Sequence, residues 1–347
     1  MVEQPRIPED KVGTKMAVFL TGATGFVGSA VLRQLLKRRL DVRVLARPGG
    51  DRRNIEGLVC EVVEGDLTDT STYKDRLRGC TAVFHVAADY RLWAPNRAVM
   101  DRVNVDATRD LFRLASDKGA KRIIYTSSVA TLGINHDNTP ADEETPSSYD
   151  QMIGTYKRSK YLAEEEVRRL VSDEGVPAVI VNPSAPIGPR DLKPTPTGRI
   201  IVDAANGKIP AYVDTGLNFV HVEDVAQGHI DAFERGKVGD RYILGGQNMT
   251  LIEMLTNICG QVGRKPPVIK IPHWLLLPVA HIAETISVLT GKWEPFVTVD
   301  SVKMATKKMY FSSKKAETVL GYKTRPAETA VIDAVEWYKE NGYLRNF

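Results

Sequence analysis

Between Met16 and Asn182, short runs of β-branched and aliphatic residues alternate with segments in which apolar positions recur every three to four residues. The runs MAVFLT, DVRVLA, CEVVEG, AVFHVA, RIIYTSS and AVIVNP read as strands. Between the first two, GFVGSAVLRQLLKRRL reads as a helix, with Val27, Val31, Leu32 and Leu35 on one stripe. Strands alternating with helices in this way imply a parallel sheet covered on both faces by right-handed crossovers, with ligands at the carboxyl ends of the strands. After Asn182 the pattern changes to proline- and glycine-rich loops, PSAPIGPRDLKPTPTG, and then to short mixed elements. The expected fold is α/β, a doubly wound parallel sheet with a smaller C-terminal lobe. Residues 1–15 are expected to form an arm, 16–184 with 217–244 the sheet domain, and 185–216 with 245–347 the lobe.

Composition and charge exclude several classes. A chain of 347 residues with 43% apolar residues can bury a substantial core and suits about two domains. The formal charge of +4 is mild and its basic residues are interleaved with acidic ones, which argues against nucleic acid as a partner. Cys60, Cys80 and Cys259 are few, scattered and odd in number, matching neither a disulfide framework nor zinc spacing; the six histidines are dispersed, so no metal site is expected. This suits a reducing, cytoplasmic compartment. The N-terminal MVEQPRIPEDKVGTK has no apolar run and reads as neither signal peptide nor spanning helix. The most apolar window, PHWLLLPVAHIAETISVL, is interrupted by Pro272 and Pro278 and carries His281 and Glu284. That composition disfavours a transmembrane segment and leaves peripheral contact with a membrane open.

The stretch FLTGATGFVGSA places Gly22, Gly25 and Gly28 directly after the first strand and at the start of the first helix. Glycines there permit a tight turn and close backbone approach to a pyrophosphate, which the helix N-terminus favours. The end of the second strand separates two cofactors. An acidic residue accepts from the ribose hydroxyls of NAD, whereas an arginine accommodates the 2′-phosphate of NADP. Here Ala46 holds that position and Arg47 follows, with Arg52 and Arg53 beyond, so NADP(H) is the expected preference and NAD(H) the alternative. Asp66, in EGDLTD at the end of the third strand, suits either the adenine amino group or a plain turn.

In IGTYKRSKYLAEEE, Tyr156 and Lys160 stand four residues apart. Four residues advance a helix by about 400° and about 6 Å, so both lie on one face, continued by Ala163, Val167 and Leu170. A free tyrosine has a pKa of about 10, and lowering it towards neutrality takes on the order of 4 kcal/mol. A close ammonium and an oxidised nicotinamide can supply this together, leaving a phenol that passes a proton as hydride moves. A second pair, Tyr310 and Lys314, has the same spacing. Ser312 and Ser313 read there as N-caps, so this pair straddles a helix start and shares no face. A hydroxyl at the end of the RIIYTSS strand, Ser128 or else Ser127, is placed to donate to a carbonyl.

In this order and spacing, TGATGFVG, GDLTD, FHVAA, TSSVATLG, YKRSK, VNPSAPIGP and NFVHVEDVA resemble the extended short-chain dehydrogenases/reductases, the NAD-dependent epimerase/dehydratase family, from Met16 onward. Within it the chain is similar to dihydroflavonol-reductase-like enzymes and, closer still, to hopanoid-associated sugar epimerases, through VAADYRLWAP, NPSAPIGPRDLKPTPTGRIIVD and AYVDTGLNFVHVEDVA. The resemblance implies a Rossmann domain with Ser128, Tyr156 and Lys160 as catalytic residues. It implies a cofactor site of Gly22, Thr24, Gly25, Phe26, Val27, Gly28, Arg47, Asp66, Leu67, Ala87, Lys160 and Pro183, with Asn182, Tyr90 and Trp93 at the substrate. It also implies a homodimer, paired through helices spanning Asn104–Lys118 and Ile153–Glu174.

Two departures from the family pattern bear on chemistry. The acidic pair of the sugar-nucleotide dehydratases is replaced by Val129 and Ala130, which disfavours elimination. Many nucleotide-sugar epimerases hold the substrate diphosphate with an arginine where this chain has Leu217, though Arg190 or Arg199 could stand in. Trp93, Trp274, Leu275, Leu276, Leu277, Phe296 and Met304 supply apolar surface for a hydrophobic or lipid-linked substrate, or else form lobe core or a dimer contact. The expected activity is an NADP(H)-dependent oxidoreductase acting on a carbonyl or hydroxyl of such a small-molecule substrate, as in hopanoid side-chain biosynthesis. The alternatives are a sugar epimerase working through a keto intermediate and a non-catalytic NADP-binding protein.

Overall fold

The computed structural model describes residues 16–91, 97–290 and 297–345. The expected arm 1–15, Trp93 and Phe296 lie outside them. The first half contains β1 Ala17–Thr21, α1 Phe26–Lys37, β2 Asp41–Ala46, β3 Glu61–Glu64, β4 Cys80–His85, α2 Arg97–Asp101, α3 Ala107–Asp117, β5 Arg122–Thr126, α4 Gly154–Glu174 and β6 Ala178–Pro183. The second half adds β7 Ala185–Ile187, α5 Pro196–Ala205, β8 Ala211–Tyr212, β9 Gly216–His221, α6 Val222–Arg235, β10 Arg241–Leu244, β11 Gln247–Thr250 and α7 Leu251–Gln261. It closes with β12 Ile269–Lys270, α8 His273–Thr290, α9 Val299–Ala305, β13 Lys308–Met309, α10 Lys314–Leu320 and α11 Ala327–Glu340.

Seven strands form one parallel sheet in the order β10-β6-β5-β4-β1-β2-β3, as the alternation of strand and helix patterns predicts. Successive side chains of a strand leave opposite faces, so each run must be apolar on both sides. In β1, Val18 and Leu20 enter a core shared with α1 and α6, while Phe19 enters one shared with α3 and α4. The strand order reverses between β1 and β4, where Thr21 pairs in register with His85; in open parallel sheets the ligand crevice lies outside the carboxyl ends of the strands at that point.

The second sheet has the order β11-β9-β13, with β7 also on β9. β9 therefore lies in the lobe's sheet, whereas α6 and β10 return to the large one. The lobe core gathers Ile201 from α5, Met254, Leu255 and Ile258 from α7, and Val331 and Tyr338 from α11. Tyr310 precedes α10, whose N-cap is Ser313 and whose C-cap Gly321 has φ 68°, so Tyr310 and Lys314 straddle a helix start as expected. α8 contains Pro278, and no helix among the described residues is long and apolar enough to cross a membrane.

Candidate active site

The turn after β1 is shaped by contact. Gly22 has φ 79°, and a Cβ there would lie 2.6 Å from the amide nitrogen of Ala87, beyond β4. A Cβ on Gly28 would lie 2.0 Å from the carbonyl oxygen of Gly22. Only glycine fits either position. α1 starts after Gly25 with no side-chain cap and no acidic residue in its first turn. A backbone cradle of this kind at a helix N-terminus fits the pyrophosphate of a dinucleotide. Thr24 is fixed through its carbonyl, which accepts from Asn54 Nδ2 at 3.2 Å; the same amide donates to the Arg190 carbonyl at 3.2 Å.

A buried relay holds the crevice together. Thr108 Oγ1 donates to the Asn104 carbonyl at 2.7 Å, so His85 Nε2, 2.9 Å away, must be the donor to Thr108. His85 Nδ1 then accepts from Thr21 Oγ1 at 2.8 Å, and that hydroxyl in turn accepts from the Ala87 amide at 3.2 Å. His85 is therefore the neutral Nε2–H tautomer. Burial, and then the charge of Lys160, lower its pKa to about 3.

Buried Ala46 and exposed Arg47 end β2. Arg52 is paired with Glu64 and Arg53 with Asp51, whereas Arg47 enters no ion pair among the described residues. After β3, exposed Asp66 accepts from the amide and the hydroxyl of Thr68, each at 2.8 Å. These bonds, aided by the charge of Arg47, hold its carboxyl below the ordinary carboxylate range. Leu67 beside it is buried, and Pro183 ends β6.

Ser128 follows β5 and caps a short turn, Val129–Thr131, its Oγ accepting from the Ala130 amide at 3.1 Å. The hydroxyl proton is left to donate elsewhere, and the side chain lies close enough to Tyr156, in the first turn of α4, to act on its phenol. Burial raises the Tyr156 pKa and outweighs the lowering by Ser128. One turn on, Lys160 is 2% exposed. Its Nζ donates to Tyr125 Oη at 3.1 Å and to the Thr126 carbonyl at 2.8 Å, and lies 4.7 Å from the Tyr125 ring centroid. Burial brings the Lys160 pKa down to about 7, opposed by Glu164. Tyr156 and Lys160 thus share one side of α4, but the ammonium is held by Tyr125 and the strand end rather than by the Tyr156 hydroxyl. Ser127 is turned away from Tyr156, donating to Glu164.

Glu164 was not singled out in the sequence. It is buried, and Oε2 accepts from Ser127, from Thr131 Oγ1 at 2.8 Å and from Asn182 Nδ2 at 2.8 Å, while Oε1 pairs with Arg241 at 3.1 Å. Asn182, expected beside the substrate, has no exposed surface; its Nδ2 also donates to the Ser128 carbonyl at 3.0 Å. Its contact is with the backbone that presents Ser128. The signal for Glu164 was the step of four from Tyr156 through Lys160, continued once more.

On the lobe side, Tyr90 is 48% exposed, and its pKa is raised by burial and by nearby Asp191 and Asp89. Arg190 is paired with Glu223 and is not free to replace a substrate-binding arginine; Arg199 is exposed and enters no ion pair among the described residues. Leu217 packs on the lobe core. The groove lined by Ile209, Pro210, Arg264 and Pro267 contains none of the candidate residues.

Residues 18–245 match the NAD dependent epimerase/dehydratase family. The chain is 42% identical over 331 residues to a putative dihydroflavonol 4-reductase of Synechocystis sp., covering 94% of this chain and 96% of that protein. It is 31% identical to sterol demethylase protein B of Methylococcus capsulatus, covering 95% and 100%. Among solved structures, gox2253 superposes with a TM-score of 0.86 at 51% identity, covering 95% of this chain and 99% of that one. A nucleoside-diphosphate-sugar epimerase from Pseudomonas aeruginosa, at 23% identity and a TM-score of 0.77, shares the fold. The chain belongs to the NAD-dependent epimerase/dehydratase family, the extended short-chain dehydrogenases/reductases, and is an NAD(P)-dependent oxidoreductase of that family.

Proposed function

We propose that the protein uses NADP(H) to reduce a carbonyl, or oxidise the corresponding alcohol, on a hydrophobic or lipid-linked substrate. Arg47, exposed, next to the small buried Ala46 and without an ion pair among the described residues, is the observation that carries the cofactor preference. Its guanidinium suits a 2′-phosphate, and no carboxylate stands at Ala46 to repel one. Gly22, Thr24, Gly25, Phe26, Val27 and Gly28 would hold the pyrophosphate, with Asp66, Leu67, Ala87 and Pro183 along the rest of the cofactor. A bound nicotinamide supplies or takes the hydride. Ser128 would orient the substrate oxygen, Tyr156 would pass the proton, and Lys160 would contact the ribose and favour the phenolate.

Apolar substrate chemistry is supported by the outer face of α8, where Trp274 is 67%, Ile282 61% and Leu289 80% exposed. Patches of this kind mark contact with lipid or another protein. We infer a cytoplasmic enzyme, peripheral to a membrane, acting on a polycyclic lipid such as a hopanoid side chain; the similarity to sterol demethylase protein B supports that substrate class. Tyr90 would face this substrate and Asn182 would act on it through Ser128. The adjacent helices α3 and α4, joined by Arg113 and Glu174 at 2.6 Å, would form the dimer surface. A sugar epimerase is the second reading, favoured by Arg199, which remains available to a diphosphate.

Substrate-dependent oxidation of NADPH, followed at 340 nm across hydrophobic ketones and aldehydes, tests the proposal. Net NADPH consumption is expected, falling by about 100-fold or more in Tyr156→Phe while NADPH binding is kept. Conversion of a sugar nucleotide without net consumption would instead establish the epimerase.

A further inference from the structure

Lys157, the residue after Tyr156, is half-buried at the junction of α4 and the lobe. Its Nζ lies 3.7 Å from the thioether sulfur of Met309 on β13, its sole hydrogen-bond partner among the described residues. A thioether is a weak acceptor and does not replace the hydration an ammonium loses on burial. No carboxylate among the described residues pairs with it. Asp300 approaches the same turn of α4, its Oδ2 3.2 Å from where a Cβ on Gly154 would stand, but forms no ion pair with Lys157. The charge that does act on Lys157 is another cation, Lys307; burial first, and then Lys307, lower its pKa to about 8.

A half-buried ammonium whose acceptor is a thioether, with the positive charge of Lys307 acting on it, is an unfavourable arrangement for the protein alone. The location gives it a use. Met309 pairs in register with Leu217, the position at which similar epimerases carry a diphosphate-binding arginine. Lys157, one residue from Tyr156 in sequence, thus brings positive charge to β13, the strand next to β9.

The geometry points to an oxyanion subsite in which Lys157, aided by the charge of Lys307, receives a carboxylate or phosphate carried by the substrate between α4 and β13. This rests on the reading of Ser128 and Tyr156 as the substrate-facing pair, and it makes the substrate an amphiphile, apolar at one end and anionic near the reacting oxygen. The bound anion would exchange the thioether contact for charge-assisted hydrogen bonds.

Calorimetric titration of the full chain, saturated with NADP+ so that the cofactor site is filled, tests the subsite with inorganic pyrophosphate and, separately, malonate. Saturable binding is expected for at least one anion: pyrophosphate for a phosphate-bearing substrate, malonate for a carboxylate. Lys157→Met should weaken it by about tenfold or more, Lys307→Met by a smaller factor, and Lys157→Arg should restore it. The affinity of each variant for NADP+ reports whether it has folded. If Lys157→Met fails that control, Lys307→Met and Lys157→Arg decide. No saturable binding of either anion, or binding in the folded methionine variants within about twofold of wild type, would overturn the subsite. The readout is binding, so the subsite and the reductase assignment can fail independently.

Discussion

Asn182 donates from Nδ2 to Glu164 Oε2 across 2.8 Å, tying the end of β6 to α4 one turn beyond Lys160. Glu164 also balances the charge of Arg241, whose side chain is 18% exposed. Breaking a buried pair leaves an uncompensated charge, so Glu164→Ala should cost about 3–5 kcal/mol in urea unfolding. Asn182→Ala leaves the Glu164–Arg241 pair intact and should cost about 1–2 kcal/mol. Equal losses would show that the Asn182 bond, and not the charge pair, dominates.

The glycine cradle makes a sharper contrast. Gly22→Ala brings a Cβ to 2.6 Å from the Ala87 nitrogen at φ 79°, whereas a Cβ on Gly49, at φ 65°, meets nothing within 4 Å. Gly49→Ala should cost only the backbone strain, about 1–2 kcal/mol, and keep NADPH binding. Gly22→Ala should cost more and abolish binding. Nicotinamide fluorescence beside urea unfolding separates the two effects.

Two buried histidines predict acid sensitivity. Burial lowers the pKa of His85 to about 3 and of His229 to about 4. Both folded values lie below the ordinary value of about 6.5, so below that pH the unfolded chain takes up protons the folded chain refuses. Their stability contribution is complete above pH 6.5 and is lost as pH falls towards 4. Near pH 4.5 each costs about 2–3 kcal/mol relative to neutral pH. His229→Gln should remove about half of this joint histidine loss, measured as the wild-type-minus-variant difference in unfolding free energy from pH 7 to 4.5. A variant with the same pH slope as wild type would contradict the buried neutral assignment.

The reach of the sequence can be seen in particular elements. The parallel sheet was legible because both faces of β1 must be apolar, and Val18, Phe19 and Leu20 satisfy both. The face shared by Tyr156 and Lys160 was legible because helical spacing fixes it. Glu164 was not, since a glutamate on a charged helix looks like surface until Asn182, Thr131 and Arg241 converge on it from distant parts of the chain. The choice between Ser127 and Ser128 depended on which way each hydroxyl turned after β5. The apolar run of α8 reads alike whether it faces a core or solvent, and only the fold reveals Ile282 and Leu289 on the outside.

That outer face carries its own expectation. A helix presenting Trp274, Leu275, Val279, Ile282, Ile286 and Leu289 should bind bilayers reversibly through its apolar side. Co-sedimentation with phosphatidylglycerol vesicles should be lost in an Ile282→Glu, Leu289→Glu double variant that still binds NADPH. Unchanged sedimentation would assign this face to another contact.

The most direct measurement is a titration of the cofactor-free protein with NADPH and with NADH, repeated on Arg47→Ala. NADPH should bind about tenfold or more tightly than NADH, with the difference largely erased in the variant, as expected for one charge-assisted contact to a 2′-phosphate. Equal affinities in the wild type, or a preference that survives loss of Arg47, would contradict the account.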